Sequence, residues 1–293
     1  MAWQQLTIAT HREFAETVEV LLEDLGALSV TLMDSADQPI YEPPLNSTPL
    51  WQHISVTGLF EENKDLSQAK EYFNQHLGKQ DPWQLTLEKL ADQVWERVWL
   101  ENFQPIKFGD NFWVCSTEHE PPNSAATLLR LDPGLAFGTG THPTTALCLD
   151  WLANHSLNNS KIIDFGCGSG ILAIAGLLLG ASGAIGIDID PQALIATHHN
   201  AEQNNVSDKL QVYDAENYPK TPQSLVIANI LAEPLINLSN DISALVKPSG
   251  HLLLSGILSE QIEPVKLAYN NAFIFSPAVI RDNWACLQAV KKP

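Results

Sequence analysis

A glycine-rich turn between an apolar run and a helix is the segment of this sequence best suited to hold a ligand. Residues 162–171 read IIDFGCGSGI, so an apolar strand leads through Asp164 into Gly166 and Gly168. Glycines let the chain turn tightly and leave no Cβ where a ligand approaches the backbone. The dinucleotide fingerprint differs, because its third glycine stands one residue later and a pyrophosphate lies at the helix start. Asp164 would oppose a pyrophosphate and suits an ammonium, so we expect a ligand with an amino-acid part.

A second acidic residue follows the next predicted strand. Asp188 stands about two dozen residues after the turn, and Pro191 can begin a helix shortly afterwards. A carboxylate at such a strand tip can accept both hydroxyls of a ribose, which is the role we predict for Asp188. Asp190, directly before the proline, is interpreted as a helix N-cap. Together the turn and the acid predict a nucleoside site, and the alternative is a structural glycine turn without a ligand.

A parallel sheet would bring the glycine turn and Asp188 together. Beyond Ala125, short apolar runs alternate with helical stretches. We predict strands at Ile162–Asp164, Ala184–Asp188, Leu210–Tyr213, Leu225–Ala228 and His251–Ser255, and helices at Ile171–Leu179, Pro191–Asn204, Pro234–Val246 and Glu260–Asn271. This alternation predicts an α/β fold over residues 125–293, a doubly wound, mostly parallel, Rossmann-like sheet with ligands beyond the carboxyl ends of its strands.

The first 90 residues follow a different order. Strands are predicted at Trp3–Ile8, Ser29–Met33, Ile54–Phe60 and Gln84–Leu87, and helices at Arg12–Leu25 and Leu66–Leu77. The order β-α-β-β-α-β is that of a smaller ferredoxin-like α+β domain, a unit that more often recognises a partner than catalyses. Residues 91–124 are interpreted as a linker, with a helix from Ala91 to Phe103, a β-rich segment from Lys107 to Cys115 and a joint from Glu118 to Ser124.

The turn and Asp188 resemble the cofactor motifs of class I S-adenosylmethionine-dependent methyltransferases. Two further segments, LDPGLAFGTGTHPTT at residues 131–145 and ANILA at residues 228–232, narrow the resemblance to the ribosomal-protein methyltransferase family known as PrmA. That family modifies protein eleven of the large ribosomal subunit. Its small α+β recognition domain and helical linker extend the resemblance over essentially the whole chain. The resemblance implies S-adenosylmethionine as methyl donor and S-adenosylhomocysteine as product.

The resemblance also implies which residues hold the cofactor. It assigns cofactor contacts to Thr145, Gly166, Asp188 and Asn229, and it places the loop around Phe137, Gly138 and Thr139 over the bound cofactor. The glycines of that loop make it a candidate lid, whose closure would expel water. Asp164 and Gly168 of the turn are assigned to the same site.

Asn229 and Ile230 are the predicted catalytic residues. An ammonium has no lone pair, so the accepting amine must be presented neutral and aligned with the methyl group. The side-chain carbonyl of Asn229 and the strand-end backbone at Asn229 and Ile230 can accept the amine hydrogens. Relatives that methylate amide or base nitrogens have an aromatic residue nearby, whereas Leu231 and Ala232 supply no ring. This favours an aliphatic amine, and the alternative is that Asn229 only caps the strand.

Two further residues have two interpretations each. His142 has an ordinary pKa near neutrality and could accept a proton, but before Pro143 it could equally order the loop. We do not count it as catalytic. Asp214, at the tip of the third predicted strand, lies where many class I enzymes contact adenine. It could as readily be a turn residue within Tyr213-Asp214-Ala215-Glu216.

The overall charge favours a basic partner. The chain has 34 Asp and Glu residues against 16 Lys and Arg residues, for a formal net charge of −18. Such a charge repels a phosphate backbone, so we expect no direct nucleic-acid binding. A basic ribosomal protein of the large subunit is the expected partner. Acidity that serves only solubility is an equally good explanation.

Length and cysteine content suggest the compartment. The longest apolar stretch, Ile171–Leu179, is far short of the roughly 20 residues that cross a bilayer, and the first residues do not resemble a signal peptide. The scattered cysteines indicate neither a disulfide framework nor a metal cluster. We therefore expect a cytoplasmic monomer without a membrane span or a metal.

Three hypotheses follow for the function. The first is an enzyme that transfers methyl groups from S-adenosylmethionine to lysine side chains or the N-terminal α-amine of a large-subunit ribosomal protein. The second is a methyltransferase of the same fold that acts on another protein, a nucleic acid or a small molecule. The third is a protein that binds the cofactor without catalysis. The charge and the missing ring after Asn229 favour the first over a nucleic-acid methyltransferase.

Overall fold

The computed structural model describes residues 3–36, 38, 40, 48–77, 83–90, 104–117, 119, 126–131 and 140–293. Their contacts divide the chain into two compact units, 1–94 and 95–293. The predicted helix from Ala91 to Phe103, most of the joint from Glu118 to Ser124 and the loop residues Phe137, Gly138 and Thr139 lie outside the described residues. The division at residues 90 and 124 therefore stays a prediction.

The first unit has the predicted order of elements. Its strands and helices are β1 (Trp3–His11), α1 (Ala15–Asp24), β2 (Ser29–Asp34), β3 (His53–Glu61), α2 (Ala69–Leu77) and β4 (Gln84–Leu90). The strands form an antiparallel sheet in the order β2-β3-β1-β4. Alternate residues of β1, among them Leu6 and Ile8, pack with Val18 and Leu22 of α1 and with Phe73 of α2. The ferredoxin-like α+β prediction is confirmed.

The second unit contains one large sheet. Its strands are β8 (Lys161–Phe165), β9 (Gly183–Asp188), β10 (Leu210–Asp214), β11 (Gln223–Asn229), β12 (Val246–Leu258), β13 (Phe273–Phe275), β14 (Val279–Arg281) and β15 (Trp284–Lys291). The order is β10-β9-β8-β11-β12-β15-β13, with β14 also paired to β15. The first five are parallel neighbours, and β15 is antiparallel to its partners. The mostly parallel α/β sheet is confirmed, and the antiparallel strands at its end were not predicted.

Six helices of the second unit cover the sheet within the described residues. They are α3 (Pro143–Ala153), α4 (Ile171–Leu178), α5 (Pro191–Gln203), α6 (Ala232–Asn237), α7 (Ser239–Ala244) and α8 (Ile262–Tyr269).

The prediction of one helix from Pro234 to Val246 is wrong. Leu238, with φ −95° and ψ 11°, leaves the helical conformation and separates α6 from α7, and β12 already begins at Val246. Helix α3 was not predicted. No helix in the described ranges is long and apolar enough to cross a bilayer.

The second unit also contains a small three-stranded sheet. It contains β5 (Ile106–Phe108), β6 (Phe112–Cys115) and β7 (Thr127–Arg130) in that order. Its buried side chains, Phe108, Phe112 and Leu129 among them, share one apolar core with Leu149 of α3 and Ile174 of α4. The β-rich segment that we placed in a linker is thus part of the core of the second unit, because its alternate residues are apolar enough to be buried there.

Candidate active site

Three neighbouring strands of the large sheet end at one place. The central strand β8 lies between β9 and β11, and Phe165 pairs with Ile187 on one side and with Ala228 on the other. Gly166 therefore leaves the sheet between Asp188 and Asn229, the last residues of those two strands. The strand order reverses at β8, and ligands of doubly wound sheets bind in the crevice at such a reversal. The fold thus brings the predicted site residues of three strands together.

The glycine turn has a backbone that other residues would not adopt easily. Gly166, Gly168 and Gly170 have φ values of 78°, 55° and 77°, in the left-handed region that favours glycine. A Cβ on Gly166 would overlap the side chain of Ile230, and a Cβ on Gly170 would lie 2.7 Å from Cγ2 of Thr197. The turn is therefore packed closely by residues that follow other strands, which explains why glycine is required at both positions.

Asp188 is fixed at the tip of β9 by two backbone donors. Its Oδ2 accepts a hydrogen bond from the N–H of Gly168 at 2.8 Å, and its Oδ1 accepts one from the N–H of Asp190 at 3.0 Å. Carboxylate oxygens have about four lone-pair sites between them, so both can still accept ligand hydroxyls. Asp190 caps α5, as predicted, by accepting from the N–H of Gln192 at 2.9 Å.

Asp164 is a buried carboxyl group at the start of the glycine turn. It is 1% exposed, and its Oδ2 accepts a hydrogen bond from the N–H of Ala173 at 3.0 Å. Its Oδ1 is buried and has no hydrogen-bond partner among the residues that the structure describes. The pKa of Asp164 is raised to about 7, mainly by burial. The hydrogen bond from Ala173 opposes this shift, and the nearby charge of Asp188 contributes to it. A cationic group beside Oδ1 would satisfy this oxygen and stabilise the ionised carboxylate.

Asn229 is oriented by a residue of α3. Its Nδ2 donates to Oγ1 of Thr145 at 3.2 Å, and Thr145 itself is 1% exposed. This bond leaves Oδ1 of Asn229 buried and without a hydrogen-bond partner in the described part of the chain. An unsatisfied buried acceptor is unfavourable by about 1–3 kcal/mol, so a donor group of a ligand would be stabilised here.

The segment after Asn229 lies against β12. Gly256 of β12 has a φ of 84°, and a Cβ there would overlap the carbonyl oxygen of Ile230. Leu231 is 46% exposed at the rim. Ile230 is thus held by Gly256 against its backbone and by Gly166 against its side chain.

His142 acts as the N-cap of α3. The N–H of Thr144 donates to its Nδ1 at 3.4 Å, and the same nitrogen lies 2.8 Å from Oγ1 of Thr144. Its ring contacts Trp284 edge-on, with 4.8 Å between the centroids. Burial lowers the pKa of His142, which favours the neutral ring. These contacts support the structural interpretation of this residue.

Asp214 has the contacts of a turn residue. Its Oδ1 accepts hydrogen bonds from the N–H groups of Glu216 and Asn217 at 2.9 and 2.8 Å. The pKa of Asp214 is lowered mainly by the side-chain hydrogen bond from Asn217 and in addition by these backbone bonds. The carboxylate is exposed and shapes the loop after β10.

Two residues of α5 that the sequence analysis did not single out hold the glycine turn. Thr197 donates from Oγ1 to the carbonyl of Gly168 at 3.0 Å, and Asn200 donates from Nδ2 to the carbonyl of Ser169 at 2.8 Å. Both side chains are buried. The available signal was their polar character on the inner face of a predicted helix that follows the acidic strand tip.

Within the described residues, no group of His, Cys, Asp and Glu side chains is arranged to hold a metal ion.

Comparison with known proteins identifies the family. The family model described as "Ribosomal protein L11 methyltransferase (PrmA)" matches residues 2–292. A protein of that name from Ectopseudomonas mendocina is 49% identical over 293 residues, with 100% of both chains covered, and one from Methylococcus capsulatus is 46% identical over 291 residues, with 99% of both covered. The crystal structure of a ribosomal protein L11 methylase from Lactobacillus delbrueckii is 28% identical, with a TM-score of 0.58, and covers 65% of this chain and 100% of its own. With this match over the whole chain, the protein belongs to the ribosomal protein L11 methyltransferase (PrmA) family.

Proposed function

We propose that this chain transfers methyl groups from S-adenosylmethionine to amino groups of ribosomal protein L11. The observation that carries the proposal is Oδ1 of Asn229, which is buried at the strand tip beside the glycine turn and has no hydrogen-bond partner among the described residues. The family membership supports it, since relatives over the full length are named for that substrate. The protein is an S-adenosylmethionine-dependent methyltransferase of this family.

The residues at the strand tips fit the chemical groups of this cofactor. Asp188 offers a carboxylate to the ribose hydroxyls. Asp164 offers to the ammonium of the amino-acid part a buried oxygen that has no partner in the described ranges. Gly166 and Gly168 leave their backbone open to close approach, and Thr145 lies beside Asn229 at the same crevice. Phe137, Gly138 and Thr139 are proposed to cover the cofactor. When bound, S-adenosylmethionine supplies a methyl group already activated by its sulfonium.

The protein must then present a neutral amine in line with that methyl group. A lysine with an ordinary pKa is deprotonated near pH 7.4 at a free-energy cost of about 4 kcal/mol, against less than about 1 kcal/mol for an α-amino group. A site that excludes water lowers the pKa of an amine and so reduces this difference. In this proposal, Oδ1 of Asn229 accepts one amine hydrogen and so turns the lone pair toward the methyl group. The backbone of Ile230 forms part of the same proposed amine site.

Charge and architecture support a basic protein as the substrate. The chain carries a formal net charge of −18, and such a field raises the encounter rate with a basic protein. The ferredoxin-like unit contains none of the residues proposed for cofactor binding or catalysis. It is therefore available to recognise the protein substrate. We further propose that the protein works as a cytoplasmic monomer on free L11 and makes no direct contact with nucleic acid.

Label transfer tests the proposal. Purified protein is incubated with methyl-labelled S-adenosylmethionine and either unmethylated L11 or ribosomal RNA, and the label is mapped by mass spectrometry. We expect label on amine nitrogens of L11, loss of labelling in Asn229→Ala, and no label in ribosomal RNA. Cofactor binding is measured separately by calorimetry. Tight cofactor binding with no labelled L11 would refute the substrate assignment, and label in RNA would favour the second hypothesis.

A further inference from the structure

A second cleft lies at the amino-terminal ends of the parallel strands of the large sheet. It has a volume of about 270 Å³, and its apolar floor includes Leu157 and Leu225. Strands β8 and β11 begin here, at Lys161 and Gln223, and their carboxyl ends lie at the candidate active site. The length of these strands therefore separates the cleft from the methyl-transfer site. No described residue proposed for cofactor binding or methyl transfer lines the cleft.

An irregularity in β12 forms one wall of the cleft. Gln223 pairs with Val246 and Leu225 pairs with His251, so residues 247–250 of β12 stand opposite the single residue Ser224 of β11. Extra residues in one strand bend it and redirect side chains out of the sheet. Ser249 has a φ of 57°, and a Cβ on Gly250 would lie 2.9 Å from the carbonyl oxygen of Lys247, which shows how tightly this segment turns. The turn places Lys247 and Ser249 at the cleft.

The end of α3 forms the other wall. The rings of Trp151 and His155 are stacked, with centroids 4.0 Å apart and an interplanar angle of 13°. Trp151 is fixed because its Nε1 donates to Oε1 of Gln288 at 2.8 Å. Nδ1 of His155 lies 2.7 Å from the carbonyl oxygen of Trp151. This leaves Nε2 of His155 available to a ligand. His251 of β12 completes the group, with its ring 5.8 Å from that of Trp151.

The cleft presents donors and positive charge. One lysine, two histidines and several serine hydroxyls line it, and none of its described lining residues is an aspartate or glutamate. In the described part of the chain, the side chains of Lys247, Ser156 and Ser249 form no hydrogen bond or ion pair, so their donors are free for a ligand. Donors that face one cleft without a carboxylate among the described lining residues favour an anion locally.

From this arrangement we propose that the cleft is a binding site for a phosphate-type oxyanion, separate from the methyl-transfer site. Lys247 provides the fixed charge, and the hydroxyls of Ser156 and Ser249 donate hydrogen bonds. Burial and the neighbouring His155 lower the pKa of His251, so its neutral imidazole can contribute an N–H donor. Stacking on Trp151 keeps the imidazole of His155 in place. The ligand is either free phosphate or the phosphate group of a small aromatic ester, for which the indole edge offers apolar contact.

Calorimetry on the full chain tests this proposal with inorganic phosphate as the probe. Lys247→Ala is compared with the native chain and with Lys209→Ala, which removes an exposed lysine of the same charge that does not line the cleft. Phosphate is expected to bind the native chain and the Lys209 variant equally, and to bind the Lys247 variant about tenfold more weakly. Phosphate should also shift the imidazole NMR signals of His155 and His251, assigned through His155→Gln and His251→Gln.

The source of the oxyanion is distinguished with phenyl phosphate. Equal affinities for the two probes assign the cleft to free phosphate, whereas tighter binding of phenyl phosphate that is lost in Trp151→Leu assigns it to an aromatic phosphate ester. Either result supports the proposal. Absence of binding of both probes at millimolar concentration, equal losses in the Lys247 and Lys209 variants, or imidazole signals that do not move would overturn it.

Discussion

Oδ2 of Asp188 accepts a hydrogen bond from the backbone N–H of Gly168 at 2.8 Å, so the acidic strand tip is bound directly to the glycine turn of the neighbouring strand. The residue proposed to hold the ribose therefore also fixes the loop that the nucleoside must approach. A change at Asp188 acts on the cofactor contact and on the shape of the turn together.

Asp188→Ala is expected to weaken S-adenosylmethionine binding by about 10- to 100-fold, since hydrogen bonds to charged groups contribute about 1.5–3 kcal/mol. Calorimetry measures the affinity. Asp208→Ala, which removes an exposed carboxylate before β10, is the matched control and should bind the cofactor like the native chain. Unchanged affinity in the Asp188 variant would remove this residue from the site.

Thr145→Val is expected to slow methyl transfer to L11 about tenfold, because Nδ2 of Asn229 loses its acceptor and the amide is no longer held in one orientation. Thr145→Ser keeps a hydroxyl and should retain most of the rate. Single-turnover kinetics with saturating cofactor separates this effect from cofactor binding. Equal loss in the two variants would show that the hydroxyl does not orient Asn229.

Asp164→Asn should change the pH dependence of stability. The folded chain raises the pKa of this carboxyl from its ordinary value of 3.8 to about 7, so the folded state binds the proton more tightly than the unfolded state. The stabilisation is complete below pH 3.8 and is lost as the pH rises through about 7, an effect on the order of 4 kcal/mol. Asparagine keeps an acceptor for the N–H of Ala173 and does not ionise.

Urea unfolding at pH 5 and pH 8 measures this effect. Relative to the native chain, Asp164→Asn should gain stability between the two pH values, whereas Asp208→Asn, at an exposed position, should not. A difference between the native and Asp164→Asn chains that is the same at both pH values would contradict the raised pKa.

Gly166→Ala is expected to destabilise the fold by about 1–3 kcal/mol, because its φ of 78° is unfavourable for alanine and its Cβ would overlap Ile230. Gly183→Ala is the control, since the nearest atom to its Cβ, the carbonyl oxygen of Lys209, is 3.8 Å away. That variant should change the free energy of unfolding by less than about 0.5 kcal/mol. Similar values for the two variants would show that the turn tolerates a side chain.

Helix α3 shows why part of the fold was missed. Seven of its residues are buried, Thr144 to Leu149 and Leu152, so the helix has no polar face that would create an amphipathic period. The glycines before it suggested a loop. In contrast, the strands β8, β9 and β11 were predicted within one or two residues, because apolar runs bounded by turns are local signals.

The sequence by itself determined the identity of the chemical groups: the glycine turn, the acid after the second parallel strand, the asparagine after the fourth, and a family resemblance that the comparisons confirmed. Tertiary structure alone decided which of them meet. The bond from Asn229 to Thr145 joins residues 84 positions apart, and Thr197 reaches Gly168 across 29 positions. Such contacts depend on strand order and helix packing, which are set by burial of the whole core and leave no local pattern in the chain.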